Sequence, residues 1–177
     1  MRIVVVGGVA GGASAAARAR RVDADAEIVI LEKGRFISFA NCGLPYHVGG
    51  EIADRNKLLV ATPELFWNRF RVEVRTEHEV TVIDRSSKVI HFVDHATGKR
   101  SSLEYDRLIL STGSEPVAPP VLLPLPSNAF HLWTLNDMDR ILACMSHSKP
   151  SRAIVIRTGC SISQLAHHDP KMLIIET

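Results

Sequence analysis

The sequence predicts an α/β fold: a parallel sheet entered through a strand, a glycine-rich turn and a helix, with an antiparallel β-meander inserted further along. Three observations predict it. The β-branched run Arg2–Val6 passes straight into Gly7-Gly8-Val9-Ala10-Gly11-Gly12 and then into the Ala/Arg stretch Ala13–Arg21. A second apolar run, Glu27–Leu31, ends on the acid Glu32. Short alternating runs at Arg71–Val74, Glu79–Ile83 and Lys88–Val93 are punctuated by Asp84-Arg85-Ser86-Ser87 and by a second turn at His95–Lys99.

The first strand reads as buried and parallel because it is apolar on both faces. Gly7 permits a tight turn, Gly12 allows helix and strand to approach, and the helix N-terminus offers free N–H groups and a positive dipole to a pyrophosphate. The spacing departs from G-x-G-x-x-G, since Val9 stands where the second glycine would fall, and a plain tight turn explains the same residues. Glu32 lies about 20 residues beyond the loop, where an acid accepts hydrogen bonds from a ribose hydroxyl. The other reading of Glu32 is a solvated strand end.

Past the second strand comes Ser38-Phe39-Ala40-Asn41-Cys42-Gly43-Leu44-Pro45-Tyr46-His47-Val48-Gly49-Gly50. It sets one cysteine among small and turn-forming residues, past the carboxyl end of a parallel strand, where ligands bind in doubly wound sheets. A thiol at a helix entry near cations reacts as thiolate. The other reading of Cys42 is a small buried hydrophobe. Thr62-Pro63-Glu64 opens a helix through about Arg69, with Thr62 as N-cap and Pro63 at its first position. Tyr105–Leu110 is a further buried strand, ending in Ser111-Thr112-Gly113-Ser114, a turn that lets backbone approach a ligand or is an ordinary loop. Five of the nine prolines fall in Pro116–Pro126, a linker. Leu135–Met145 reads as a helix capped by Asn136 or Asp137. Ala153–Ile156 reads as a new strand, with neither neighbouring strands nor a patterned crossover helix behind it.

The chain has 177 residues, 46% hydrophobic, with a net charge of +2. That balance gives no reason to expect nucleic acid or a membrane surface as partner. No apolar run is long enough to span a bilayer and no signal peptide is recognised, so the expected location is cytoplasmic. Cys42, Cys144 and Cys160 make no disulfide framework, and no Cys/His cluster, His167-His168 included, has metal-ligand spacing.

Four motifs together carry a resemblance: Val4–Gly12, Glu32-Lys33, Ser38–Tyr46 and Ser111–Ser114. Over about residues 1–156 the chain resembles the N-terminal part of pyridine nucleotide–disulfide oxidoreductases of the single-cysteine branch, which includes coenzyme A-disulfide reductases and NADH oxidases and peroxidases. The resemblance implies an incomplete Rossmann-like FAD-binding domain at 1–149, followed at 150–177 by a truncated, divergent start of an NAD(P)-binding domain. It implies that Gly7, Ala10, Gly11 and Gly12 hold the pyrophosphate of FAD and that Glu32, with Lys33 beside it, binds the adenosine ribose. Val80 would hold adenine by its backbone, Thr112 and Gly113 would line the flavin, and Cys42 would be the redox-active nucleophile.

Where many family members carry a second cysteine five residues on, this chain has His47, which implies a mixed-disulfide or sulfenic acid cycle. Ala10 replaces the histidine typical of the oxidase and peroxidase members and so favours coenzyme A disulfide as the substrate. In that reading Ser14, Arg18, Arg21, Ser38 and Asn41 resemble substrate-contacting positions. Arg18 and Arg21 read otherwise as a solvated basic face. Members use NAD(P)H as electron donor and are homodimers. The glycine loop that would bind NAD(P)H is not found after Ala153–Ile156, so the chain reads as truncated near Arg157, with weak flavin binding or none. The alternatives are a non-catalytic FAD-binding remnant and an NADH oxidase or peroxidase.

Overall fold

A computed structural model describes residues 1–118, 120, 123–150, 152–157 and 173–176. The chain divides into two compact units, residues 1–39 with 59–113 and residues 40–58 with 114–177.

The first unit is built on four parallel strands: β1 (Arg2–Val6), β2 (Glu27–Leu31), β3 (Val72–Arg75) and β7 (Arg107–Leu110), in the order β3-β2-β1-β7. Alternation along β1 and β2 sends side chains to opposite faces. Ile3, Val5, Ile28 and Ile30 join Val72 on one face, with Ala13 and Ala16 of helix α1 (Gly11–Val22) and Phe66 of helix α3 (Pro63–Phe70). Val4, Val29 and Leu31 face the other way, against Ile90 and Phe92. Those two belong to the antiparallel sheet of β4 (His78–Asp84), β5 (Val89–Asp94) and β6 (Arg100–Glu104). The small alanines of α1 let the helix lie close on the strands. The predicted α/β class, parallel sheet plus inserted meander, is what the chain adopts.

Three strand assignments differ from the sequence reading. The run at 71–74 is not a meander strand: β3 pairs parallel with β2, Ile28 opposite Val72 and Ile30 opposite Val74, because its two valines complete the buried face. The third meander strand is the polar β6, unforeseen because Leu103 is its one large apolar residue. The strand at 154–157 is not without neighbours.

Thr62 caps α3 as expected, its Oγ1 accepting from the Leu65 N–H at 3.3 Å. Arg20, near the end of α1, reaches four backbone carbonyls: Phe70, Arg71, Asp23 and Ala24. One guanidinium thus serves the chain ends leaving both α1 and α3, where carbonyls lack intrahelical partners.

In the second unit, a 3₁₀ turn (Asn41–Gly43) leads into the short helix α2 (Leu44–Val48), and a second 3₁₀ turn covers Arg55–Leu58. β8 (Ala129–His131) precedes the helix α4 (Leu135–Ser148). The cap of α4 is Thr134 rather than Asn136 or Asp137. Thr134 Oγ1 accepts from the Asp137 N–H at 3.2 Å and Asp137 Oδ2 accepts from the Thr134 N–H at 2.9 Å. This reciprocal box makes Asp137 the third residue of the helix. β9 (Ile154–Arg157) and β8 both pair parallel with β10 (Leu173–Glu176). The stretch behind that strand where neither a glycine loop nor a patterned crossover helix is expected lies outside the described residues, as do Cys160, His167-His168 and Pro119 of the linker. Among the described residues no helix is long and apolar enough to cross a membrane.

Candidate functional site

The first unit gathers the glycine turn, Glu32 and Ser111–Gly113. Gly7 has φ +94° and its N–H donates to the Leu31 carbonyl at 2.8 Å, which ties the start of the turn to the end of β2. A Cβ built on Gly7 would lie 2.1 Å from the Ser111 carbonyl oxygen, and one on Gly12 would lie 1.8 Å from the Gly7 carbonyl oxygen. Only glycine permits either approach. At Gly11 the nearest atom is the Ser111 hydroxyl, at 2.7 Å.

Ala10 is the N-cap of α1, with no side-chain cap bond and no acid in the first turn. Under helix geometry the N–H groups of Gly11, Gly12 and Ala13 then have no intrahelical acceptor. The Ala10 carbonyl accepts from the Ser14 N–H at 3.1 Å.

Glu32 is the one buried charged or polar residue of the described core, 7% exposed. Its carboxylate accepts from the Gly8 N–H at 2.6 Å and the Gly34 N–H at 2.7 Å. Its own backbone is held on both sides, N–H to the Arg75 carbonyl and carbonyl from the His78 N–H, each at 2.9 Å. Glu32 is therefore an anchored acid, not a solvated strand end. Lys33 beside it is exposed. Neither Gly8 nor Gly34 stood out as a site residue in the sequence; a glycine two places beyond a strand-end acid is the signal that marks such a clamp.

Val80 lies on β4, which starts beside Glu32, and its side chain packs on the Val4–Phe92 core. The β4–β5 register slips between Val80 and Val82, a bulge at Thr81. Thr112 and Gly113 are exposed, Gly113 at φ +71°, just after the Ser111 N–H that donates to Val6 at 2.8 Å.

Ser38 belongs to the same unit and has φ +45°, an uncommon conformation for a residue with a side chain. Its N–H donates to the Gly8 carbonyl at 3.1 Å, and its carbonyl accepts from Val60 at 2.8 Å and Ala61 at 3.2 Å. Those bonds hold it against the glycine turn. Ser14, Arg18 and Arg21 are all exposed on α1, at spacings of four and three that put them on one side.

Cys42 and Asn41 fold with the second unit. Cys42 is a free, exposed cysteine in the middle of the Asn41–Gly43 turn, which rules out the buried-hydrophobe reading. The turn is tight because Gly43 lies against Leu58: a Cβ there would sit 2.5 Å from Leu58 Cδ2. The Ala40 N–H donates to the Leu58 carbonyl at 2.8 Å, and Asn41 Nδ2 to the Trp133 carbonyl at 3.4 Å. His47, on α2, hydrogen-bonds through Nδ1 to the Ile52 carbonyl. A carbonyl only accepts, so Nδ1 carries the proton there.

Several comparisons bear on this arrangement. The coenzyme A disulfide reductase of Staphylococcus epidermidis is 37% identical over 158 residues, 89% of this chain and 35% of that protein. A crystal structure of reduced Bacillus anthracis CoADR-RHD superposes with a TM-score of 0.92 at 41% identity, over 99% of this chain and 32% of that one. A NAD-dependent persulfide reductase from A. fulgidus matches with a TM-score of 0.86 at 34% identity, over 94% of this chain and 31% of that one. The chain spans about a third of the length of the curated relatives it matches. The family model described as pyridine nucleotide-disulphide oxidoreductase matches residues 1–166, and this chain belongs to that family.

Proposed function

We propose that the chain supplies the dinucleotide entry and the exchanging thiol of an FAD-dependent disulfide oxidoreductase, with coenzyme A disulfide or a similar small disulfide as substrate. The observation that carries the reading is Cys42: exposed at the head of a short helix, with a histidine five residues on, in a chain 37% identical to a coenzyme A disulfide reductase.

The residues of the first unit fit FAD. The uncapped start of α1 leaves N–H groups for a pyrophosphate, and the glycines at 7, 11 and 12 let it approach. A carboxylate has about four acceptor positions. Glu32 uses one from each oxygen on Gly8 and Gly34, which leaves capacity for ribose hydroxyls. Lys33, Val80, Thr112 and Gly113 are the further candidates for its adenosine and flavin portions. FAD, when bound, supplies the two-electron relay between NAD(P)H and sulfur.

The chain's own chemistry is thiol–disulfide exchange. The Cys42 thiolate attacks one sulfur of the substrate. The Cys42–sulfur bond forms as the substrate S–S bond breaks, and one coenzyme A leaves as its thiolate. With His47 at the position of a resolving cysteine, the mixed disulfide persists until two electrons arrive. Arg18 and Arg21, with Ser14 beside them, are suited to a phosphate of the substrate, and Ser38 and Asn41 to its polar portion. Ala10, without a side chain that can move a proton, supports this substrate over peroxide or oxygen.

The test is to incubate the reduced chain with coenzyme A disulfide and map the adduct by mass spectrometry. One coenzyme A on the Cys42 peptide, one coenzyme A thiol released, and loss of both in Cys42→Ser are expected. An adduct that survives Cys42→Ser unchanged overturns the reading.

A further inference from the structure

The Cys42 turn is tied to helix α4 through a charged pair remote from the thiol. Arg55 opens the second 3₁₀ turn of this segment, Arg55–Leu58. Its Nε donates to Asp139 Oδ1 at 2.8 Å and its Nη2 to Asp139 Oδ2 at 2.7 Å, across 84 residues of sequence. This is the bidentate fork–fork geometry, directional as well as charged. Leu44, Val48 and Leu58 of this segment are buried, as are Leu135, Met138 and Ile141 of α4.

Three residues after Arg55 stands Leu58. Its carbonyl takes the Ala40 N–H and its side chain fills the space against Gly43. Ala40 and Gly43 bracket the thiol. A half-exposed ion pair adds little stability on average, and the side chains here are 31% and 42% exposed. What the fork supplies is geometry: it fixes the turn that fixes the residues on either side of Cys42.

We propose that Arg55 and Asp139 are positioning residues for Cys42, setting which disulfides its sulfur can attack. The inference rests on the reading of Cys42 as the exchanging thiol. A thiol held in one place discriminates between a bulky and a small disulfide, whereas a loosened one discriminates as a free peptide does.

The experiment measures exchange at Cys42, resolved from Cys144 and Cys160 by peptide mapping, with coenzyme A disulfide and with hydroxyethyl disulfide. The readout is the ratio of the two rates, compared with that of a synthetic peptide of residues 38–50. The intact chain is expected to differ from the peptide by more than twofold. Asp139→Asn keeps the shape and loses the charge; Arg55→Lys keeps the charge and loses the fork. Both are expected to move the ratio to within twofold of the peptide, and the swapped pair R55D/D139R to return it toward the parent value. Circular dichroism checks that each variant is folded, and Asp139→Asn serves if Arg55→Lys is not. Folded variants that keep the parent ratio overturn the inference and leave the proposed function standing. A parent chain whose own ratio equals the peptide's overturns the inference, whereas a folded parent chain with no exchange at Cys42 overturns the proposed function.

Discussion

Replacing Gly12 by alanine separates a steric requirement from a generic glycine preference. The added Cβ would sit 1.8 Å from the Gly7 carbonyl oxygen, about 1.6 Å short of the 3.4 Å at which ordinary contact begins. The obstacle is backbone in a turn already pinned by the Gly7–Leu31 hydrogen bond, so it cannot swing aside. Helix α1 must instead move by about one residue's rise (~1.5 Å), pulling Ala13 and Ala16 off the sheet they are buried against. Overpacking of this kind costs about 1–3 kcal/mol, and a backbone obstacle belongs at the upper end.

Gly11→Ala is the control. Its nearest neighbour is the Ser111 hydroxyl, which can rotate, and alanine is favoured over glycine in a helix by ~0.5–1 kcal/mol. Gly12 lies in the same helix and shares that gain, so the two variants should differ by the overpacking cost, roughly 2–3 kcal/mol. With a urea slope of ~2 kcal/mol/M, Gly12→Ala should unfold at a midpoint roughly 1–1.5 M lower than Gly11→Ala. Equal midpoints would refute the close-approach argument.

Two other perturbations follow from the geometry. Arg20→Ala strips the carbonyls of Phe70, Arg71, Asp23 and Ala24 of their shared donor; a loss of about 2–4 kcal/mol in urea unfolding is expected, only partly recovered by Arg20→Lys, whose ammonium cannot span both chain ends. The Ser86 hydroxyl, with the N–H groups of Ser86 and Ser87, holds the Asp84 carboxyl well below its ordinary range. A depressed folded value means the stabilisation is complete above the unfolded pKa of about 3.9 and is lost as pH falls through the folded value. Urea midpoints taken from neutral pH downward should fall more steeply below about pH 4 in the parent chain than in Asp84→Asn, and the variant should be the less stable at neutral pH.

The parts of the fold legible in the sequence are those fixed by local pattern. Strand, glycine turn, helix, strand and Glu32 follow one another within 32 residues, and each is marked by its own composition. Thr62-Pro63 at the start of α3 is equally local. The parts not legible depend on partners distant in the chain. Val72 and Val74 alternate as a meander strand would, and only their pairing with Ile28 and Ile30 assigns them to the parallel sheet. β6 carries no strand signal because its contribution to the core is mostly Leu103. Asn136 and Asp137 attracted the cap assignment at α4, yet the reciprocal bonds of Thr134 and Asp137 need the Thr-x-x-Asp spacing to be read as a unit.

The candidate site divides the same way. The glycines and Cys42 announce themselves by type and neighbourhood. The Gly8–Glu32–Gly34 clamp and the Arg55–Asp139 fork are visible only once the chain is folded.

The most direct test of the dinucleotide entry is a titration of the chain with FAD, followed by quenching of flavin fluorescence and repeated with Glu32→Gln. The account predicts saturable, weak binding, with a dissociation constant raised on the order of tenfold in the variant, the loss of one charge-assisted hydrogen bond. Saturable binding that is indifferent to Glu32, or none to the folded chain, would contradict it.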